Sequence, residues 1–211
     1  MCRSFITLVL LLFTQIIIGQ LSWSAEIGLN QSSYEMDLFP NLTPTSTSNI
    51  FIGIHNEVPL TKKWTVGLDF EISQRGVAIT QTSDTLPNSF NDEKYDFRFT
   101  YFDIQPYIMY CFNENISLGL GLYSGVNFLE SSKRRNEDRQ NINQLQFISS
   151  FDHGMLINAR YKLKKFTVKV EYNWGFSNVN NFVYTDAFGA PVTGDNLQLR
   201  NLQFGVGYYI K

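Results

Sequence analysis

The sequence has few cysteines, few charged residues and no excess of basic residues. Of its two cysteines, Cys2 lies in the segment interpreted below as a signal that is removed, and Cys111 alone cannot form an internal disulfide. No set of cysteine and histidine has the spacing of a zinc site. The net charge of -2 over 211 residues offers no basic surface, which predicts that nucleic acid is not a partner. Charged residues make up 17% of the chain, below the roughly 25% of soluble domains. We predict no cofactor and no metal.

The first residues have the pattern of a secretion signal. An uncharged, mostly apolar run covers residues 5–19 behind Arg3. The run is shorter than the roughly 20 residues of a transmembrane helix and matches the apolar part of a secretory signal. We therefore predict a signal peptide over residues 1–19 and a mature domain over 20–211. Cleavage after Ser24 and an uncleaved anchor helix are the alternatives.

Beyond the signal, apolar and polar residues alternate with a period of two, and no helical period persists. In residues 116–128, Ile116, Leu118 and Leu120 lie on one face, while Ser117 and Gly119 lie on the other. This alternation is the pattern of a β-strand. Such runs predict eight strands, at residues 23–30, 49–58, 64–73, 98–112, 116–128, 144–163, 166–177 and 198–210.

The segments between these runs alternate in length. Short turns are predicted at residues 60–63, 113–115 and 163–165, and Cys111 is predicted to be a wall residue beside one of them. Long polar loops are predicted at 31–48, 78–96, 130–142 and 178–196; the charged segment 131–140 is interpreted as a solvated loop or, alternatively, as a binding epitope. Short turns at one end and long loops at the other are typical of outer-membrane barrels. The predicted fold is all-β, an eight-stranded antiparallel up-and-down transmembrane β-barrel.

Alternation alone does not tell which face points inward, because a soluble lipocalin-like barrel also has eight strands. Three observations favour the membrane. The polar face is rich in glycine and small polar residues and carries few lysines, unlike a water-facing exterior. The apolar face continues over enough alternate positions to span a band of about 25 Å. Aromatic residues cluster beside the short turns, as in an interfacial girdle: Trp64, Tyr110, Phe112, Tyr161 and Phe166. The predicted location is the outer membrane.

The inner face then holds many charged residues. Buried charges must pair, and an eight-stranded barrel leaves a lumen that side chains just fill. We therefore predict a structural network of Glu57, Asp69, Glu71, Asp103, Arg160, Lys169 and Glu171, in which Arg160 and Lys169 are the partners of Glu171, Glu71 and Asp103. A conduction path or a catalytic cluster is the alternative. Four further residues share this face: Glu26, His55, Arg75 and Asp152.

Five segments carry a family resemblance. In chain order they read FDIQPYIMY (102–110), GLGLYSG (119–125), FDHG (151–154), YNWGFSN (172–178) and NLQFGVGYY (201–209). Together they resemble the PorT-like outer-membrane β-barrel proteins of Bacteroidota, although Gln105 stands where that family usually has Glu. The resemblance implies an eight-stranded outer-membrane barrel. The founding member of that family is linked to protein secretion and gliding machinery.

The functional expectation is a non-enzymatic scaffold that holds surface loops for envelope protein partners and contacts outer-membrane lipid. The spacing of Gln203, Gly205, Tyr208 and Ile210 is similar to the terminal signal that the barrel-assembly machinery recognises. A secretion accessory or narrow transporter is the first alternative. A lipid-modifying enzyme is the second; it would use His153 with a serine from a neighbouring strand, since Ser149 is about 13 Å away along its own strand.

Overall fold

The computed structural model of this chain describes residues 22–36, 42–81, 93–134, 137–142, 150–178, 183–185, 191–193 and 197–210. The predicted signal peptide, residues 1–19, lies outside the described residues. None of the described residues form a helix long and apolar enough to cross a membrane.

The described residues form β-strands joined by turns. In chain order the strands are β1 (Ser22–Met36), β2 (Leu42–Pro59), β3 (Trp64–Gln81), β4 (Glu93–Cys111), β5 (Ile116–Arg134), β6 (Gln140–Asn141), β7 (Phe151–Leu163), β8 (Phe166–Gly175), β9 (Val183–Thr185), β10 (Pro191–Thr193) and β11 (Leu197–Tyr209).

Eight of these strands close into a barrel. Each of β1 to β5, β7, β8 and β11 pairs antiparallel with the next, and β11 pairs with β1 from Ser24↔Tyr209 to Met36↔Leu197. The short β6 adds to β5, and β9 with β10 forms a separate hairpin. The predicted eight-stranded up-and-down barrel is confirmed. Closure leaves no unpaired edge in the lipid, which is the condition for strands to cross a bilayer.

The three predicted short turns are confirmed and lie together at one end of the barrel, here called the short-turn end. They join β2 to β3, β4 to β5 and β7 to β8. The last is a two-residue hairpin in which Lys164 has a φ of 56°, the left-handed conformation that such tight turns require.

The predicted long loops are wrong in extent, because strands run deep into three of them. Residues 31–36 and 42–48 belong to β1 and β2, residues 78–81 and 93–96 to β3 and β4, and residues 130–134 to β5. We call the distal parts of β3, β4 and β5 the upper section, comprising residues 76–81, 93–99 and 130–134. The predicted start of the sixth strand, residues 144–149, lies outside the described residues.

The predicted orientation of the two faces is confirmed by burial. Large apolar side chains on the outer face are exposed, for example Leu120 at 55% and Ile52 at 57%, whereas inward side chains such as Lys169 are fully buried. The predicted aromatic girdle is present at the short-turn end. There the ring of Trp64 packs edge-on against Tyr110, at a centroid distance of 5.1 Å.

Candidate functional site: the interior charge network

The seven residues of the predicted network all lie in the lumen, each at most 9% exposed. They come from β2, β3, β4, β7 and β8, because alternate positions on every strand point inward. The structure joins them to the four other charged residues of that face: Glu26, His55, Arg75 and Asp152. The eleven side chains comprise seven carboxylates, three cations and one histidine, and they form three groups stacked along the barrel.

The first group surrounds Arg160 near the short-turn end. Its guanidinium pairs with Glu57 and lies 2.6 Å from Asp69 Oδ2, so that one cation on β7 binds acids on β2 and β3. The Tyr107 ring stacks on it, with the guanidinium carbon 4.8 Å from the ring centroid. The predicted pairing of Arg160 with Glu171, Glu71 or Asp103 is therefore wrong. The cross-barrel neighbours of Arg160 depend on barrel tilt, which alternation does not encode.

His55 connects this group to the second. Its Nδ1 lies 2.6 Å from Asp69 Oδ2 and its Nε2 lies 3.0 Å from Glu26 Oε2, so a carboxylate stands on each side of the ring. Both nitrogens of a protonated imidazole are donors, which suits this double contact.

The second group surrounds Lys169 at mid-height. Its Nζ lies 3.2 Å from Glu26 Oε1 and 3.4 Å from both Glu71 Oε2 and Glu171 Oε2. The predicted contacts of Lys169 with Glu71 and Glu171 are present. Gln203 Nε2 donates to Glu71 Oε1 at 2.6 Å, which ties β11 into the same group.

The third group surrounds Arg75, which lies beneath the upper section. Its Nη2 lies 2.6 Å from Asp103 Oδ2 and its Nη1 lies 2.9 Å from Asp152 Oδ2. The rings of Tyr101 and Tyr123 lie over the guanidinium, with centroids 4.6 and 5.4 Å from its central carbon. Asp103 is thus paired with Arg75 and not with Arg160 or Lys169. The predicted network of seven did not include Arg75, although Arg75 was among the residues predicted to lie on the inner face.

The two ends of the lumen differ. At the short-turn end a cavity of about 210 Å³ reaches the network, and its lining includes Glu57, Thr65, Arg160 and Tyr209. Cys111, a free cysteine at the end of β4, also lines it, as expected for a wall residue near a turn. At the other end, above Arg75, the lumen is filled by a buried apolar cluster of Tyr34, Val77, Phe99, Tyr101 and Leu199.

This arrangement can link strands across the barrel and fill its interior. Each of the three cations binds acids from two or more strands, and the paired groups are almost completely buried. Among the described residues no group of histidine, cysteine and acidic side chains has the geometry of a metal site.

A separate pair lies on the lipid-facing side near the top of β7. The Ser177 Oγ, just beyond the end of β8, lies 2.8 Å from His153 Nδ1. Both side chains are on the outer surface, and the hydroxyl also accepts a hydrogen bond from the His153 backbone N–H at 2.8 Å. The segment that follows the neighbouring strand β8 thus supplies a serine for His153. Ser149, the serine on its own strand, lies outside the described residues.

Comparison with known proteins agrees with this architecture. The family model described as outer membrane protein beta-barrel domain matches residues 13–181. No curated protein matches the chain in sequence.

Solved structures that this chain resembles include outer-membrane proteins of several bacteria. The Ail protein of Yersinia pestis, solved with the heparin analogue sucrose octasulfate, is 15% identical, with coverage of 90% of this chain and 99% of that chain and a TM-score of 0.48. Neisserial surface protein A is 11% identical, with coverage of 88% and 96% and a TM-score of 0.48. The protease OmpT of Escherichia coli is 13% identical, with coverage of 90% and 97% and a TM-score of 0.43. With the family model covering most of its length, the chain is an outer-membrane protein that belongs to the outer membrane protein beta-barrel domain family.

Proposed function

We propose that this barrel is a non-enzymatic scaffold of the PorT-like type found in Bacteroidota. Its filled lumen makes the wall rigid, and its strands and loops beyond the lipid contact other envelope proteins. The observation that carries the proposal is the set of three buried cations, Arg75, Arg160 and Lys169, which link facing strands through the space that a pore would need. The five segments of the family resemblance lie on β4, β5, β7, β8 and β11 and their ends.

The surface offered to partners is the upper section together with the distal part of β2, residues 42–48, and the predicted loops. β2 to β5 are 18 or 19 residues long, whereas about ten residues of tilted strand suffice to cross a bilayer. The extra residues hold a wall of paired strands outside the membrane, on which a protein can dock without first ordering a loop.

A photo-crosslinking experiment tests this function. A photoreactive amino acid at the exposed position Thr45, high on β2, is expected to capture one or a few discrete envelope proteins in intact cells. The matched control is the exposed position Asn113 in a short turn at the opposite end. Absence of any product from Thr45, or the same products from both positions, would contradict the scaffold role.

Conductance tests the first alternative, a narrow transporter. We expect the protein in planar bilayers to pass no more current than the bilayer alone, because the charged groups occupy the lumen. Stable conductance steps above background would favour the transporter.

The contact between Ser177 and His153 favours a second candidate, a hydrolase acting on outer-membrane lipid. A serine next to a histidine on the lipid-facing rim is the minimal set for acyl transfer. The scaffold remains the better-supported function for two reasons. The Ser177 oxygen already accepts a backbone hydrogen bond, and within the described residues no carboxylate hydrogen-bonds to His153 to orient it.

Labelled lipid A separates the two candidates. We expect wild-type protein and Ser177→Ala to release no fatty acid from it. Release by the wild type that Ser177→Ala and His153→Ala both abolish would establish the hydrolase instead. Ser150→Ala, a change at another exposed serine near the same rim, is the matched control for the two substitutions.

The terminal strand suits the proposed encounter with the barrel-assembly machinery. Tyr208 and Ile210 point outward and are 44% and 67% exposed, while Gln203 points inward. A recognised strand would present this face of alternate apolar residues before β11 pairs with β1. Tyr208→Ala is expected to slow assembly in cells while leaving folding into detergent unchanged.

A further inference from the structure

The outer surface of the upper section carries a compact basic cluster, defined here as Lys94, Arg98, Lys133 and Arg139 around Asp96. Arg139 Nη2 lies 2.5 Å from Asp96 Oδ2, and Arg98 Nη2 lies 3.5 Å from the same oxygen. Lys94 and Lys133 flank Asp96 in one open concavity of about 530 Å³. Two of the four cations pair with Asp96, and the cluster as defined carries a formal charge of +3 in a chain whose net charge is -2.

The cluster continues the lipid-facing surface upward. Arg98 and Asp96 lie on the same face of β4 as Phe102 and Ile104, which are both 40% exposed in the apolar band. Lys133 is the cross-strand partner of Asp96 on β5, so its side chain shares that face. These cations therefore point sideways over the membrane and do not point into the barrel mouth.

The height of the cluster matches the level of lipid headgroups. The exposed Leu129, the cross-strand partner of Thr100, marks the top of the apolar band. Arg98 lies two residues and Lys133 four residues above this level, which at about 3.4 Å per residue and a tilt near 45° places them roughly 5 and 10 Å higher. Headgroup regions extend for about 5 to 8 Å beyond each side of the hydrocarbon core, and long basic side chains reach several ångströms downward. This end of the barrel faces the outer leaflet, because the short turns of such barrels lie on the periplasmic side.

We propose that the basic cluster binds the phosphate groups of lipid A in the outer leaflet. Arginine forms paired hydrogen bonds with phosphate oxygens, and lysine adds point charge. Half-buried Arg98 and Arg139 are already oriented by Asp96, with side chains 40% and 26% exposed, so little ordering is needed on binding. Exposed Lys94 and Lys133 line the concavity that receives the anion together with Arg134, and Arg98 and Arg139 lie beside it on Asp96.

Binding of purified lipid A to the detergent-solubilised protein, followed by native mass spectrometry, tests the proposal. The probes are lipid A with two phosphates and the same lipid after dephosphorylation. Lys94→Gln with Lys133→Gln is expected to weaken binding of the phosphorylated lipid about 30-fold, since each basic residue near an anionic surface contributes about fivefold. Binding of the dephosphorylated lipid is expected to be weak and unchanged.

The matched control is Lys62→Gln with Lys63→Gln, which removes two exposed lysines at the short-turn end. Three results would overturn the proposal. The control could lose as much affinity for the phosphorylated lipid as the Lys94/Lys133 variant, that variant could keep wild-type affinity, or the wild-type protein could bind both lipids equally well. Stronger binding of a soluble sulfated polysaccharide than of lipid A would also overturn it, in favour of a glycan partner. Heat-modifiable gel mobility verifies folding, and Arg98→Gln alone, expected to lose about fivefold, provides a second variant.

Discussion

The lipid-spanning part of the wall and the upper section follow opposite patterns on the same strands. In the lipid, outward side chains are apolar and inward ones polar, as with Leu120 and Lys169. In the upper section the inward side chains Val77 and Phe99 are buried and apolar, while the outer surface carries Arg98 and Lys133. The medium outside the barrel changes from hydrocarbon to water at this level. The outer face therefore changes from apolar to charged side chains, and the inner face changes from polar to apolar ones.

The comparison also explains the uneven height of the wall. β2 to β5 have 18 or 19 residues, whereas β7 and β8 have 13 and 10. Only a wall with its own apolar interior can stand in water, and the cluster of Tyr34, Val77, Phe99, Tyr101 and Leu199 supplies that interior. β7 and β8 end at the level where the polar lumen ends.

The largest expected effect comes from the buried network. Arg75→Leu leaves Asp103 and Asp152 buried without a cation, which is expected to lower the free energy of unfolding by about 3–5 kcal/mol. Denaturant unfolding of the protein in lipid vesicles measures it. The matched control is Arg98→Leu in the upper section, a half-exposed arginine expected to cost at most about 1 kcal/mol. Equal losses would mean that burial does not distinguish the two sites.

A charge on the outer face locates the boundary between the two patterns. Leu120→Arg places a cation in the apolar band and is expected to cost about 2–4 kcal/mol. Thr80→Arg, on the outer face of the upper section and opposite Lys94, is expected to cost at most about 1 kcal/mol, from repulsion between the two cations. Denaturant unfolding in lipid vesicles measures both variants. A loss of stability at Thr80 as large as that at Leu120 would show that lipid reaches the upper section.

Substituting valine by alanine distinguishes apolar residues buried inside the upper section from apolar residues that face lipid. Val77→Ala, inside the upper section, is expected to cost about 1.5 kcal/mol, because buried methyl groups are lost from an interior shielded from water. Val206→Ala, which faces lipid and is 53% exposed, is expected to cost less than half as much, because lipid contacts both side chains equally well. The reverse order in the unfolding measurements would contradict the assignment of the two faces.

The smallest expected effect concerns the short-turn end. Lys164 adopts a φ of 56°, which costs a non-glycine residue roughly 1 kcal/mol. Lys164→Gly is therefore expected to raise stability by up to about 0.5 kcal/mol after the greater chain entropy of glycine is counted. Lys165→Gly, without a positive φ to relieve, is expected to lower stability slightly. A gain at position 165 and none at 164 would be inconsistent with this turn geometry.

The strands of the lipid-spanning part were predictable because one alternation runs through each of them. The third predicted strand ended at Ser73 because the pattern changes phase there. Ile72 is exposed and points outward, whereas the next large apolar residue, Val77, is buried and points inward. One continuous alternation cannot be followed past Ser73, so the residues after it are not predicted to belong to the strand. Apart from Arg98 and Phe99, which the predicted fourth strand included, the upper section was missed for that reason.

The candidate site was predictable in composition and only partly in its pairing. Inward position and charge identified Arg160, Lys169 and their acidic neighbours as lumen residues. The partners of Lys169 on β3 and β8 followed from that set, but Arg160 binds Glu57 and Asp69. The contact of Ser177 with His153 was also unpredictable, because the serine lies beyond the end of β8 and 24 residues away in the chain.

The sequence by itself determined the barrel, its strand number and which face meets lipid, because period-two alternation depends only on neighbours along one strand. Tertiary structure alone decided which charges meet across the lumen and where the apolar cluster closes it. It also decided how four cations from β4, β5 and the segment after β5 meet around Asp96. Those contacts depend on barrel closure and tilt, which bring together residues that no local pattern relates.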